Sequence, residues 1–136
     1  MNQDQKRNLV ATLCLIEKDL AQEERLLQSR GEKGVLYEVV DPLSARQHYK
    51  IRACIVKLRE CLAQVRDRFD LEVDQINLRR IVAGELAMFS VWLQEAKTKR
   101  LKGYGAVDEG LEYSLDPLLE EMVVLIDEVL KILAEA

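Results

Sequence analysis

The sequence predicts an all-α protein, and three observations carry that prediction. Helix-forming residues dominate a composition that is 49% hydrophobic and 32% charged. Apolar residues recur at spacings of three and four along long segments. The two prolines, and all but one of the six glycines, fall between those segments. We therefore expect one domain over residues 1–136, folded as an up-down-up-down four-helix bundle.

The first helix is expected over residues 3–29, where an apolar stripe runs from Leu9 to Leu27. Gly31 follows as a typical helix C-terminus. Residues 31–41 form a linker rich in apolar side chains, so we expect it to fold back over the bundle end, with room for a short β-strand.

Asp41 and Pro42 are expected to open the second helix, because Asp caps free N–H groups and Pro suits a first turn. Six apolar residues from Ile51 to Phe69 then follow at alternating spacings of four and three. This is a heptad seam, typical of helices that pack side by side.

The end of the second helix is weakly marked, because neither proline nor glycine occurs between Pro42 and Gly84. We prefer a polar turn within residues 67–74, with Asp70 or Asp74 capping the next helix. The alternative is one long central helix over residues 42–101. Such a helix cannot fold back on itself and would demand an intertwined dimer.

The third helix is expected over residues 71–101 and carries the widest apolar face of the chain, around Met88, Phe89 and Trp92. Gly84 within it suggests the close approach of another helix.

A second linker is expected over residues 102–113. Either Ser114 or the Asp-Pro pair at 116–117 opens the last helix, which continues nearly to residue 136. Acidic residues cover the side of this helix that faces away from its apolar stripe.

The two halves of the chain resemble each other, which predicts two helical hairpins over residues 1–69 and 70–136. Both linkers begin with a basic residue and glycine, Arg30-Gly31 and Lys102-Gly103, and both end in Asp-Pro-Leu. The alternative is that unrelated linkers converged on the same capping chemistry.

In an up-down bundle both linkers lie at one end, which makes that end a candidate ligand site. Its basic and tyrosine side chains are Lys33, Tyr37, Lys99, Arg100, Lys102, Tyr104 and Tyr113. Such groups beside flexible backbone can hold a phosphate or an acidic partner. The plainer interpretation is that Lys and Arg in a last helical turn stabilise the helix dipole.

The sequence offers no catalytic constellation, metal-ligand set or phosphate loop, and no cofactor is expected. His48, the only histidine, is interpreted as a structural or surface residue, and the three cysteines as reduced, buried apolar residues. The net charge of −4 argues against a dedicated nucleic-acid binder. No apolar run is long enough for a membrane span and no signal peptide is visible, so we expect a cytoplasmic location.

The leading functional hypothesis is a non-enzymatic helical protein–protein interaction module, serving as an adaptor, a chaperone-like protein or a regulatory subunit. The face around Met88, Phe89 and Trp92 exceeds what a bundle requires, so we expect a homodimer or another protein partner there. Two alternatives stay open. One is a small-molecule or phosphate-binding protein, or an enzyme, that uses the linker end. The other is an RNA-associated protein that uses the basic second helix.

Overall fold

The computed structural model describes residues 1–135, and the chain is all-α over that range, as predicted. Its elements in chain order are α1 (Gln3–Leu27), α2 (Ala45–Arg68), α3 (Leu78–Glu95), α4 (Thr98–Leu101), a 3-10 turn (Lys102–Tyr104), α5 (Leu111–Ser114) and α6 (Asp116–Ala134). The strand considered for the first linker reduces to one antiparallel bridge between Lys33 and Glu38.

The chain divides into two compact units, one over residues 1–75 and one from residue 76 onward. In the first unit α1 packs against α2, and in the second α3 packs against α6. Each unit is thus a pair of long helices joined by a linker. The four-helix topology and the internal duplication stay predictions.

In the first unit, α1 begins with a capping box. Asn2 Oδ1 accepts from the Gln5 backbone N–H, and Gln5 Oε1 accepts from the Asn2 N–H, both at 2.8 Å. Leu20 and Ile55 are the aliphatic side chains that the described part of the chain buries. Such a small enclosed core leaves much of the apolar surface of the helices open.

The predicted start of α2 is wrong by three residues, because Ser44, not Asp41 or Pro42, caps the helix. Ser44 Oγ accepts from the Gln47 N–H at 3.1 Å, and Gln47 Oε1 accepts from the Ser44 N–H at 2.8 Å. This reciprocal pair satisfies two backbone donors, whereas a single Asp cap satisfies one.

The central helix over residues 42–101 does not form, because α2 ends at Arg68. Asp70 adopts a left-handed conformation with φ 51°, and the Leu71 N–H donates to the Arg66 carbonyl at 2.9 Å. This is the Schellman arrangement, with Asp in the position that glycine usually takes. The preferred turn is confirmed, without the glycine that would have marked it in the sequence.

The third helix begins at Leu78 and not at residue 71, and neither Asp70 nor Asp74 caps it. Asn77 Oδ1 accepts from the Arg80 N–H at 3.2 Å instead. The helix also ends early, at Glu95. A Cβ added at Gly84 would meet no atom within 4 Å. The described residues therefore show no close helix approach at that glycine.

In the second unit, a buried threonine at the start of α4 is hydrogen-bonded to the start of α6. Asp116 Oδ1 accepts from both the backbone N–H and the hydroxyl of Thr98, each at 2.9 Å. Pro117 lies in the first turn of α6, as the Asp-Pro prediction required. The aspartate of that pair acts on a distant segment and makes no cap for its own helix.

Candidate interaction surface

Apolar side chains cover about half the circumference of α6, an arc of about 180° at 100° per residue. One half of that arc is half-buried and lies on the side packed against α3; its residues are Leu119, Val123, Ile126, Leu130 and Leu133. The other half is exposed and repeats at spacings of four and three; we call it the α6 stripe, and its residues are Leu118, Met122, Leu125, Val129 and Ile132. A helix with a single packing partner needs only an arc of about 100°.

The predicted interface residues of α3 lie beside this stripe. Phe89 and Trp92 line an apolar groove together with Met122 and Leu125. The rings of Phe89 and Trp92 are 5.8 Å apart between centroids and tilted by 35°. Met88 lies one helical turn from Trp92. We call the α6 stripe with these three α3 residues the α3–α6 surface.

The size of the α3–α6 surface is that of a protein interface. Its eight side chains are exposed by 39% to 60% each. Half-exposed side chains of this size present roughly 800 Å² in total, close to what each partner contributes to a stable protein complex.

The whole chain also exposes more surface than compact folding leaves. Its accessible area is 11410 Å². Two compact proteins with the lengths of the two units, taken separately, would together expose about 8,700 Å². The excess includes the exposed side chains of the α3–α6 surface and those of the linkers, such as Val35 and Leu36, which are exposed by 99% and 96%.

The α6 stripe has an acidic border on the side away from α3. Glu121 and Glu128 lie seven residues apart, so they occupy the same side of the helix two turns apart. Both are exposed, and neither forms an ion pair within residues 1–135. A segment that docks on the stripe therefore meets a row of negative charge along one edge.

Two residues of the predicted ligand site, Lys33 and Tyr37, lie in the first unit. Lys33 Nζ is 3.9 Å from a Glu38 carboxylate oxygen, and the Tyr37 hydroxyl donates to Glu32 at 3.3 Å. Both side chains are thus engaged by acidic neighbours in their own linker, and a phosphate would have to compete with those carboxylates.

The other five predicted ligand residues lie in the second unit, on its short helices and turn. Lys99 and Arg100 line a shallow depression with Gln94 and Lys97, whose ammonium group is 2.5 Å from a Glu120 carboxylate oxygen. Lys102 is exposed. Tyr104 and Tyr113 are exposed by 92% and 80%. A ligand site formed by the seven residues together stays a prediction.

Of the structural and surface positions expected for His48, the structure shows the structural one. Its Nε2 lies 2.5 Å from Asp41 Oδ2, and both side chains are largely buried where the first linker meets α2. The N–H of Leu43 donates to Asp41 Oδ1 at 2.9 Å. That backbone hydrogen bond, aided by His48, lowers the pKa of Asp41 below its ordinary value of 3.8. The contact between His48 and Asp41 thus holds the first linker against α2.

The cysteines differ from the prediction. All three are free thiols, but Cys54 and Cys61 are exposed on α2 and only Cys14 is partly covered. Cys54 and Cys61 do not serve as buried packing residues, because the side of α2 that carries them is not packed against α1 in the described structure.

The basic second helix is partly neutralised. Arg59 pairs with Glu24 at 2.5 Å, and Arg66 pairs with Asp67 at 2.9 Å.

Within residues 1–135 no cluster of three metal-ligating side chains occurs. None of the helices in that range combines the length and apolar character of a membrane span.

The sequence predicted a single apolar stripe on the last helix, and the structure divides the residues of that stripe between the packed half and the exposed half of the arc. The signal for two faces was present, since an arc of about 180° exceeds what one neighbouring helix covers. The sequence predicted acidic residues on the outer side of the last helix, but not that Glu121 and Glu128 border an exposed apolar stripe. That alignment depends on which half of the arc packs against α3.

Comparison with known proteins places the chain in no family: no family model matches it, and no curated protein or solved structure matches it significantly.

Proposed function

We propose that this protein is a non-enzymatic helical interaction module whose α3–α6 surface binds an amphipathic helix with a basic border. The observation that carries the proposal is the exposed α6 stripe, a heptad-spaced apolar row lying beside Phe89 and Trp92. Heptad spacing with one charged edge is the pattern by which helices choose helical partners.

The charge of the border selects the partner. Glu121 and Glu128 repel a helix with acidic flanks and attract one with lysine or arginine at matching positions. The apolar stripe supplies affinity and the glutamates supply discrimination, because exposed ion pairs contribute only about 0.2–1 kcal/mol each.

The test uses two labelled model peptides with the same apolar heptad residues and either lysine or glutamate on the flanks. We expect fluorescence anisotropy to show binding of the lysine peptide to the full chain and weaker binding of the glutamate peptide. Added salt should narrow the difference between the two, because it screens the border charges. Equal binding of both peptides, or of neither at a concentration at which the chain is monomeric, contradicts the proposal.

A matched pair of variants locates the binding site. Leu125→Lys places a charge within the α6 stripe and should abolish peptide binding. Val124→Lys makes the same change on the adjacent residue, which lies outside the stripe and is similarly exposed, 51% against 54% for Leu125. The control variant should bind as the parent does. Equal effects of the two variants would place the site elsewhere.

A further inference from the structure

We infer that the helix that covers the α3–α6 surface is α2 of a second copy of this chain, in a symmetric dimer. This inference rests on the interaction function proposed above and adds the identity of the partner. The evidence is a second exposed stripe whose border charge is opposite to that of α6.

The exposed stripe of α2 has the same spacing as the α6 stripe. Its residues, which we call the α2 stripe, are Ile51, Cys54, Leu58, Cys61 and Val65, at spacings of three and four. All but the half-buried Val65 are exposed. Ile55, which is buried, lies on the next side of the helix. The α2 stripe is therefore free to meet a stripe of similar length.

The border of the α2 stripe is basic. Lys50 and Lys57 lie seven residues apart along one edge, are exposed, and form no ion pair within residues 1–135. This spacing equals that of Glu121 and Glu128 on α6. Two apolar stripes can thus meet while two lysines face two glutamates.

The direction of the pairing follows from the side on which the borders lie. Each charged residue immediately precedes a stripe residue in the sequence: Lys50 precedes Ile51, Lys57 precedes Leu58, and Glu121 precedes Met122. Borders on the same side of their stripes meet when the two helices run antiparallel. The geometry points to an antiparallel contact of α2 with α6 of the other copy.

A symmetric dimer contains this contact between α2 and α6 twice. In a twofold dimer α6 of each copy receives α2 of the other, so both stripes of both chains are covered. The interface then exceeds the roughly 800 Å² per partner of a stable complex, and no apolar stripe is left to propagate into a filament.

The test exchanges the border charges. One variant carries Glu121→Lys and Glu128→Lys, and the other carries Lys50→Glu and Lys57→Glu. Each variant alone faces like charges at both contacts and should dimerise about 100-fold more weakly than the parent, because four attractive pairs become repulsive. An equimolar mixture should form a heterodimer of parent-like affinity, since both of its contacts are complementary again. Sedimentation equilibrium measures all three samples.

Controls separate this pairing from effects of net charge. Asp127→Lys with Glu112→Lys makes the same charge change at exposed residues outside the stripe borders and should leave dimerisation unchanged. The chain with all four border substitutions should dimerise as the parent does. As a second readout, Cys54 and Cys61 should lose reactivity toward an alkylating agent on dimerisation.

The inference is overturned if the parent is a monomer at every concentration, if the charge-exchanged variants dimerise as tightly as the parent, or if their mixture forms no heterodimer. A monomeric chain that still binds the lysine-flanked peptide at Leu125 would remove the dimer and leave the proposed interaction function standing. Failure to bind that peptide when the α3–α6 surface is uncovered, in the monomeric Lys50→Glu and Lys57→Glu variant, would remove the function itself.

Discussion

Replacing Trp92 with alanine removes the largest side chain from the α3–α6 surface. Trp92 is 56% exposed, and a tryptophan side chain presents up to about 250 Å², so docking of a helix would cover about 140 Å² of indole. At about 25 cal/mol per Å², that burial contributes about 3.5 kcal/mol to association. A twofold dimer covers the indole of both copies, about 7 kcal/mol in all, so Trp92→Ala should weaken dimerisation by about five orders of magnitude.

The same substitution should change the free energy of unfolding of the isolated chain far less. Within the chain the indole packs on Phe89, an aromatic contact worth about 1 kcal/mol. Sedimentation equilibrium gives the dissociation constant, and urea unfolding gives the stability. Tyr104→Ala, which removes an aromatic ring exposed elsewhere, is the control. Unchanged dimerisation of Trp92→Ala, or an equal loss in Tyr104→Ala, would refute the assignment of the surface.

Three further predictions concern local interactions that stabilise the fold. Asp70→Gly should stabilise the chain by about 0.5–1 kcal/mol in urea unfolding, because glycine adopts the left-handed conformation without strain. Asp116→Ala should destabilise it by about 2–4 kcal/mol, since two buried Thr98 donors lose a charged acceptor; Asp116→Asn, which keeps an acceptor oxygen, should cost less. Asp41→Asn should lower the Tm at pH 7. Because the pKa of Asp41 is lowered in the folded state, its carboxylate stabilises the fold at pH values above the ordinary pKa of 3.8. The difference in Tm between the variant and the parent should therefore shrink as the pH falls through the folded-state pKa of Asp41, and disappear below it. A Tm difference that stays constant down to pH 2 would refute this role.

The long helices were predictable because their apolar spacing repeats over many turns, and the misplaced start of α2 had a signal in the sequence. Ser44 and Gln47 form a capping box that can be recognised from spacing alone, but the Asp-Pro pair three residues earlier was given more weight. The end of α2 was harder to place, because Asp70 takes a conformation that sequence rules assign to glycine.

The candidate surface was only half predictable. The exposed aromatic face of α3 followed from its excess of apolar residues, but the division of the α6 arc into a packed half and an exposed half did not. Periodicity fixes which residues share a side of a helix, whereas the packing of α3 against α6 decides which side stays open. Asp116 shows the same limit, because its partner Thr98 lies in a segment that only the fold brings near.

The emission of Trp92, the only tryptophan in the chain, tests the central claim most directly. The measurement is the emission maximum during titration with the lysine-flanked peptide, at a chain concentration low enough to keep the protein monomeric. If a helix covers the α3–α6 surface, the indole leaves water and the maximum moves to shorter wavelength with a saturable dependence on peptide. Leu125→Lys should show no such shift. A maximum that stays constant while anisotropy reports binding would mean that the partner docks elsewhere, and would contradict the account.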